Sequence, residues 1–347
     1  MVYIGTVVGA GFATGQEVLQ FFVAFGLGGL WGIALSTALF IGYGVLIMRL
    51  GMAAGAASHR EILPKLGGAV FQTGMDALIM TSLFIALTAM LAGTGALFGQ
   101  QFGLSPMLGS AVMGVLTALT VLSGLRGVIN AVSAVVPFLL VSVVVICVFV
   151  LLEGGVADTS IEPSEIMSRG RVRGGLMGNW LWAAILYASY NILMSAAVLA
   201  PLGTEAADRR AIFRGGALGG IGLGAASVML FLAISTAQAE VAGLEVPILY
   251  LAARISPVLG ALFALVLIAE IYTTAVGALY GFSARILGAV GQQKAAPLIV
   301  GAAALAFGAS LLGFSNLVRV LYPLQGYGGI VFLAALLFAR WRGHGKL

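Results

Sequence analysis

Ten apolar segments, each long enough to cross a bilayer, constrain the fold of this chain more than any other feature of its sequence. About 20 apolar residues span the roughly 30 Å hydrocarbon core. The segments cover about residues 2–25, 28–50, 68–98, 105–124, 128–152, 176–202, 211–236, 257–285, 295–313 and 317–340. A backbone that crosses lipid must satisfy its own hydrogen bonds. The sequence therefore predicts an all-α integral membrane protein of ten transmembrane helices. A shorter apolar piece, Val246 to Ile255, predicts an interfacial or re-entrant helix.

The composition supports a polytopic membrane protein. The chain is 61% hydrophobic and only 8% charged, with a mean hydropathy of +1.11, whereas soluble domains carry roughly a quarter charged residues. We expect a single membrane domain over residues 1–347. The net charge of +5 is better explained by basic membrane loops than by nucleic-acid binding.

Basic residues distribute unevenly between the two sides of the predicted bundle. With the N-terminus inside, the cytoplasmic set is Arg49, Arg60, Lys65, Arg126, Arg209, Arg210, Arg214, Arg285, Lys294, Arg340, Arg342 and Lys346. The external set is Arg169, Arg171, Arg173, Arg254 and Arg319. Because cytoplasmic loops are enriched in Lys and Arg, both termini are predicted to be cytoplasmic, in a multi-pass protein of the cell (inner) membrane.

The longest predicted external loop, residues 154–175, divides the spans into two groups of five. Repeat one covers residues 1–153 and repeat two covers 176–340, followed by a basic tail at 341–347. Five spans is an odd number, so the second group enters from the opposite side, as in an inverted repeat. Each group opens with an interrupted span, GAGFATGQE and YASYNILMS, and paired interruptions indicate a binding site in such proteins.

The stretch GAGFATGQE, residues 9 to 17, has three interpretations. A dinucleotide fingerprint is disfavoured, because the glycine spacing is one residue too long and no βαβ unit surrounds it. Close helix packing through small residues would explain the glycines, but not Gln16 and Glu17. A helix broken between Gly9 and Gly15 explains both, since unpaired backbone groups are tolerated where they line a polar cavity.

A broken first helix would supply both halves of a binding site. The half-helix that starts near Thr14 would direct N–H groups at an anion such as a carboxylate. The carbonyls of Gly5 to Val8, which end the preceding half, would suit a cation. The predicted substrate contacts in this stretch are Gly9, Ala10, Gly11 and Thr14.

The stretch GTVVGAGFATGQEVLQFF resembles the opening of the YkvI-type bacterial membrane proteins, a group of proposed amino-acid permeases. AEIYTTAVGALYGF and ILYASYN also match, and the resemblance runs over essentially the whole chain. The VGAGF core is similar to the Gly-Ser-Gly-Ile-Phe type motif of the amino acid–polyamine–organocation superfamily. The resemblance implies the LeuT fold, a bundle of two inverted five-helix repeats with discontinuous helices 1 and 6.

The same resemblance implies that the sixth span unwinds at ILYASYN and faces Ala10 and Gly11. The predicted contacts there are Tyr187, Ser189, Tyr190 and Asn191. The match could be shifted toward Gly178, Asn179 and Trp180. The alternative is an aromatic, packed helix with one satisfied asparagine.

Glu270, Thr273 and Thr274 share one face of the eighth span, which suits a hard cation or a proton. LeuT-like sodium sites use hydroxyls of helix 8 and carbonyls of helix 1, which implies a Na⁺ site at Gly5, Val8, Thr273 and Thr274. Glu270 departs from that pattern and could equally carry a proton. The alternative for the threonines is a hydrogen bond back to a helix carbonyl. No lysine occurs between Arg126 and Arg169, so the fifth span lacks the amine that replaces sodium in some proton-coupled relatives.

Ionisable residues inside spans indicate function, because each costs about 2.5–3.5 kcal/mol or more at mid-bilayer. Glu17 lies beyond the break, toward the outside, and Arg319 near the external start of the tenth span. We expect an outer gate formed by this pair, charge-reversed relative to the arginine–acid gate of LeuT-type transporters. Gln72 and Asp76 are predicted to line the inner pathway or to join two helices.

Two functions fit these features. The first is a secondary transporter that moves a small amino acid, or a related zwitterion or amine, by alternating access, driven by Na⁺ or H⁺. The second is an amino-acid-sensing receptor of the spore-germination type, without net transport. An enzyme is not expected, because His59 and His344, the only histidines, lie in basic segments and no nucleophile–base pattern appears. No cofactor is predicted, and the partners are the solute and the bilayer.

Overall fold

The computed structural model describes residues 2–56, 58–123, 128–153, 176–290, 293 and 295–341. The predicted external loop at 154–175 and all but the first residue of the predicted tail at 341–347 lie outside that part of the chain. The described helices, numbered in chain order, are α1 Val2–Val7, α2 Ala10–Ala13, α3 Gln16–Phe21, α4 Leu27–Ala54, α5 Leu63–Leu66, α6 Ala69–Phe102, α7 Pro106–Ser123, α8 Val128–Leu152, α9 Trp180–Glu205, α10 Arg209–Thr236, α11 Gln238–Val241, α12 Pro247–Ile255, α13 Pro257–Val290, α14 Ala295–Ser310 and α15 Phe314–Ala339. Short 3₁₀ turns occur at Val23–Phe25 and His59–Glu61.

Within these ranges, seven helices are long and apolar enough to cross a membrane: α4, α6, α7, α9, α10, α13 and α15. The other three predicted spans take different forms. The first is the broken run from α1 to the 3₁₀ turn at Val23–Phe25. Two shorter apolar stretches, Pro137–Leu152 of α8 and Ala295–Ser310, account for the fifth and ninth spans. The short segment ahead of the eighth span forms the nine-residue helix α12, as its length predicts.

The first span is discontinuous, as the glycine stretch predicts. The chain leaves the α-helical conformation after Val7, forms one turn at Ala10–Ala13, and begins a new helix at Gln16. It therefore breaks twice, at Gly9 and at Thr14–Gly15, instead of unwinding continuously from Gly9 to Gly15.

The prediction that helix 6 is discontinuous is wrong. The sixth span is one α-helix from Trp180 to Glu205. Its sequence explains why: no glycine occurs before Gly203, and the proline, Pro201, lies near its end. The polar residues of ILYASYN add no break, because Asn191 Nδ2 donates to the carbonyl of Tyr187 at 3.0 Å and Ser195 Oγ to that of Asn191 at 2.7 Å. These are bonds that a helical backbone already permits.

Helix α9 lies at the centre of the bundle, where it packs against α4 and α15. Small residues bring these helices close, as is common in membrane bundles. A methyl group on Gly51 of α4 would overlap the carbonyl of Ala200, and one on Gly203 would overlap that of Met48. Helix α13 packs against α6. The broken first span contacts α6, α9, α10, α13 and α15, and the cavity of the site lies among α6, α9, α13 and α15.

Candidate solute-binding site

A cavity of about 130 Å³ surrounds the break in the first span. Its lining comes from the first span, α6, α9, α13 and α15: Gly5, Thr6, Val7, Val8, Gly9, Ala10, Gly11, Glu17, Ala86, Met90, Tyr190, Asn191, Met194, Glu270, Thr274, Tyr322 and Gln325. The loss of helical structure thus coincides with a polar hollow. This is the arrangement in which irregular backbone is tolerated at membrane depth.

The two breaks have separate local causes. Gly9 is extended (φ −106°, ψ −173°), and no backbone N–H of the described residues donates to the carbonyl of Val8, a residue that lines the cavity. At the second break, Gly15 adopts φ +81°, a left-handed conformation that favours glycine. Thr14 Oγ1 donates to the carbonyl of Gly11 at 2.8 Å and accepts from the N–H of Gln16 at 3.3 Å. The hydroxyl thereby replaces helical hydrogen bonds. Thr14 therefore stabilises the break and does not line the cavity as the substrate contact that the sequence predicts.

The side of the site that is predicted to face outward is closed by packing. The N–H of Ile248, in α12, donates to the carbonyl of Thr14 at 3.0 Å. Gln16 Nε2 donates to Ser315 Oγ at 2.8 Å, and Gln20 Nε2 to the carbonyl of Ser315 at 2.9 Å. The first bond links the break at Thr14 to α12, and the other two link α3 to α15, beyond the cavity.

Glu17 is folded back onto the break. Its carboxyl Oε2 accepts from the hydroxyl of Tyr190 at 2.6 Å, and the side chain is only 5% exposed. A methyl group on Gly11 would overlap Glu17 Oε1, so the absence of a side chain at residue 11 makes room for this carboxylate. Gly11 and Glu17 therefore form one structural unit in the wall of the cavity.

Two of the four residues predicted on the sixth span face the site. Tyr190 and Asn191 line the cavity. Tyr187 is buried within an aromatic cluster, with its ring centroid 4.8 Å from that of Phe22. Ser189 Oγ lies 2.8 Å from the carbonyl of Gly326, on the side of α9 that meets α15. Tyr187 and Ser189 therefore join helices and do not line the site.

Most of the predicted ion-coupling residues meet at the cavity. Gly5, Val8, Glu270 and Thr274 all line it. Thr273 does not, because its Oγ1 donates to the carbonyl of Glu270 at 2.9 Å, which is the back-bonded alternative. Glu270 is 4% exposed, and its Oε2 makes no hydrogen bond with any residue that the structure describes.

The structure does not bring Glu17 and Arg319 together as an outer gate. Glu17 bonds Tyr190 in the cavity, whereas Arg319 Nη2 donates to Asn316 Oδ1 at 2.9 Å on the same helix. The sequence placed both residues on the outer side of the break, but Glu17 turns its side chain back toward the centre.

A second, larger cavity of about 430 Å³ lies toward the predicted cytoplasmic side. Its wall includes Met194, which also lines the smaller cavity, so the two are adjacent. Asp76 bonds Arg285 across this cavity and lies 3.8 Å from Arg60 Nε. Gln72 is not in the wall, since its Nε2 donates to the carbonyl of Gly67. Burial lowers the pKa of the nearby His59 imidazole, although the charge of Asp76 opposes the shift.

Sequence reasoning missed several lining residues, chiefly Tyr322 and Gln325 of α15 and Met90 and Met194. Gln325 carried a signal, because a polar amide in an apolar span usually lies in the bundle interior. The methionines carried none, since they are ordinary residues of an apolar helix.

Comparison with known proteins identifies the family. The membrane protein YkvI of Bacillus subtilis (strain 168) is 30% identical over 339 residues, which is 97% of this chain and 93% of that protein. The chain belongs to the YkvI family of membrane proteins. Another protein of that strain, YyaD, is 25% identical over 346 residues, 99% of this chain and 97% of that protein. No model of a protein family matches the chain.

Solved structures confirm the predicted LeuT-like fold of this YkvI-family chain. MhsT, crystallised in complex with L-phenylalanine, superposes with a TM-score of 0.65 at 18% identity, covering 95% of this chain and 86% of MhsT. A manganese transporter of Eremococcus coleocola gives a TM-score of 0.51 at 14% identity, covering 97% of this chain and 84% of that one.

Proposed function

We propose that this YkvI-family protein is a cation-coupled secondary transporter of a small amino acid or related zwitterion or amine, working by alternating access in the cell membrane. The single observation that carries the proposal is the cavity at the broken first helix. Exposed backbone, two carboxyl groups and the side chains of four other membrane helices converge there. A buried polar hollow of this kind is costly in lipid unless it holds a solute.

The position of the hollow supports transport. It lies between the packed outer seal at Ile248 and Ser315 and the larger cavity reached past Met194. A site closed on one side and adjacent to a vestibule on the other fits one state of an alternating-access cycle. The coupling cation, Na⁺ or H⁺, is assigned to Gly5, Val8, Glu270 and Thr274. The orientation with both termini in the cytoplasm rests on the basic residues.

Reconstitution tests this function. The purified protein in liposomes, given a mixture of radiolabelled amino acids and small amines, should accumulate at least one solute when an inward Na⁺ or proton gradient is imposed. Glu270→Gln should abolish gradient-driven accumulation while exchange of the same solute persists. If binding occurs but no solute crosses under any gradient, the protein is not a transporter, and a sensing role fits instead.

A further inference from the structure

We propose that the solute is a small organic amine that lacks a carboxylate, and that its ammonium group pairs with Glu17. This deepens, and rests on, the proposed transport function by naming the substrate class of the same cavity. Two carboxyl groups, a buried oxygen without a partner, the position of Glu17 and the cavity volume support it.

The cavity is acidic. Glu17 and Glu270 are both lining residues, and among the described residues no lysine, arginine or histidine lines the cavity. Within the part of the chain that the structure describes, neither carboxyl group forms an ion pair with a basic side chain. A buried anion without a positive partner is unfavourable, so a cationic ligand would supply what the protein leaves out.

An unpaired group in the cavity wall points to a ligand independently of the charge. Glu270 Oε2 is buried and makes no hydrogen bond with the described residues. A buried polar atom without a partner costs about 1–3 kcal/mol. Atoms of this kind are completed by a bound ion or water; the coupling cation assigned to Glu270 would complete this one, which leaves the Glu17 carboxyl group to the solute.

The position of Glu17 argues against a solute carboxylate. Its carboxyl group lies against Gly11, at the break where backbone N–H groups would otherwise receive an anion. Tyr190, which donates to Oε2 at 2.6 Å, fixes it there. A solute carboxylate at this place would have to displace the Glu17 carboxyl group, or would meet it as a like charge wherever Glu17 is ionised, which is strongly unfavourable in a site of low dielectric. The protein's own carboxylate thus occupies the position that an amino acid would need.

The size and the lining of the cavity restrict the class of solute further. The cavity, of about 130 Å³, is less than a third of the volume of the 430 Å³ cavity on the predicted cytoplasmic side, which favours a small ligand. Ala86, Met90 and Met194 offer an apolar wall for carbon atoms. No group of three or more His, Cys, Asp or Glu suited to a metal ion occurs among the described residues, which favours an ammonium group over a divalent metal.

Three matched probes separate charge from size: ethylamine, alanine and alaninamide. Alanine adds a carboxylate to ethylamine, and alaninamide replaces that carboxylate by a neutral group of the same shape. Binding to the purified full-length protein, measured by displacement of radiolabelled ethylamine, should favour ethylamine and alaninamide over alanine by about tenfold or more. Alanine binding more tightly than both would overturn the inference, as would the absence of binding by all three.

Glu17→Gln keeps the side-chain size and removes the charge. It should weaken ethylamine binding by about tenfold or more and narrow or reverse the preference for ethylamine over alanine, a change that a merely structural role would not produce. The control is Glu240→Gln, an exposed glutamate that pairs with Arg254 outside the cavity, and it should leave the preference unchanged. Stabilisation by Mn²⁺ alone, lost in Glu17→Gln and with no amine effect, would also overturn the proposal.

The probes keep this inference distinguishable from the transport function. If alanine is exchanged across liposomes and ethylamine is not, the substrate class is wrong and the transport function stands. If ethylamine binds with the stated preference but no solute crosses the membrane, the substrate class stands and the transport function is wrong. Should Glu17→Gln fail to fold, the comparison of the three probes on the unaltered protein still decides the substrate class.

Discussion

At the scale of single residues, the site depends on one glycine that makes room for one carboxylate. Gly9 and Gly11 both line the cavity, but their surroundings differ. A methyl group on Gly9 would meet nothing within 4 Å, whereas one on Gly11 would overlap Glu17 Oε1. Their similar appearance in the motif therefore conceals different roles.

Gly11→Ala should displace the Glu17 carboxyl group and weaken solute binding or exchange by about tenfold or more. Gly42→Ala is the control and should leave binding unchanged, because an added methyl group there meets nothing within 4 Å and Gly42 does not line the cavity. Both are measured as equilibrium binding or as exchange in liposomes. Equal losses in the two variants would contradict the role of Gly11.

At the scale of helices, α9 is held by backbone contacts that only small residues allow. Gly51 on α4 lies against the carbonyl of Ala200, and Gly329 on α15 against that of Ser189. Since the hydrophobic effect contributes little between helices in lipid, van der Waals packing of this kind provides much of the association. The continuous α9 is thus a fixed support for Tyr190 and Asn191, and the element of the site that departs from helical structure is the first span.

Gly51→Ala should lower the free energy of unfolding by about 1–3 kcal/mol, because the added methyl group meets backbone that cannot move aside. Gly42→Ala is the control on the same helix. It has nothing within 4 Å and should be neutral or stabilising by up to about 1 kcal/mol, since alanine favours the helix over glycine. Thermal unfolding of the purified protein in detergent measures both. A stabilised Gly51→Ala variant would show that α4 and α9 do not pack through this contact.

At the scale of the whole molecule, the two cavities lie in series, and an ionic contact crosses the larger one. Asp76 on α6 bonds Arg285 on α13, and Arg60 approaches from the 3₁₀ turn at His59–Glu61. These residues are partly exposed, so the pair contributes little to overall stability. Its position instead makes it an ionic contact that links α6 and α13 on the predicted cytoplasmic side.

Asp76→Asn should weaken this contact between α6 and α13 and open the larger cavity. The natural Cys147 is buried, so a cysteine introduced as Gly9→Cys in the site can be followed by a membrane-impermeant thiol reagent. Labelling from the predicted cytoplasmic side should become several-fold faster with Asp76→Asn or Arg285→Gln, and unchanged with Glu240→Gln, whose pair with Arg254 lies elsewhere. Faster labelling from the opposite side only would contradict both the role of the Asp76–Arg285 contact and the predicted orientation.

The sequence was sufficient for the class of the fold and for the broken first helix. Long apolar segments need helices in lipid, and glycines beside Gln16 and Glu17 have no comparable role in a continuous one. The prediction from the sequence was wrong at the sixth span. The analogy with a broken helix implied an interruption at ILYASYN, but the residues there are compatible with a helix, and Asn191 and Ser195 bond back to it.

Sequence by itself determined which segments form apolar membrane-type helices and where the first of them loses its helix, because both follow from local composition. Only the tertiary structure decided which polar groups share a cavity. Glu17 and Glu270 are 253 residues apart, and their meeting depends on the packing of α6, α9, α13 and α15 around the break. The direction of the Glu17 side chain depends likewise on Tyr190, from another helix. No periodicity along the chain records a contact between distant helices, so the acidic character of the site appears only once they are packed.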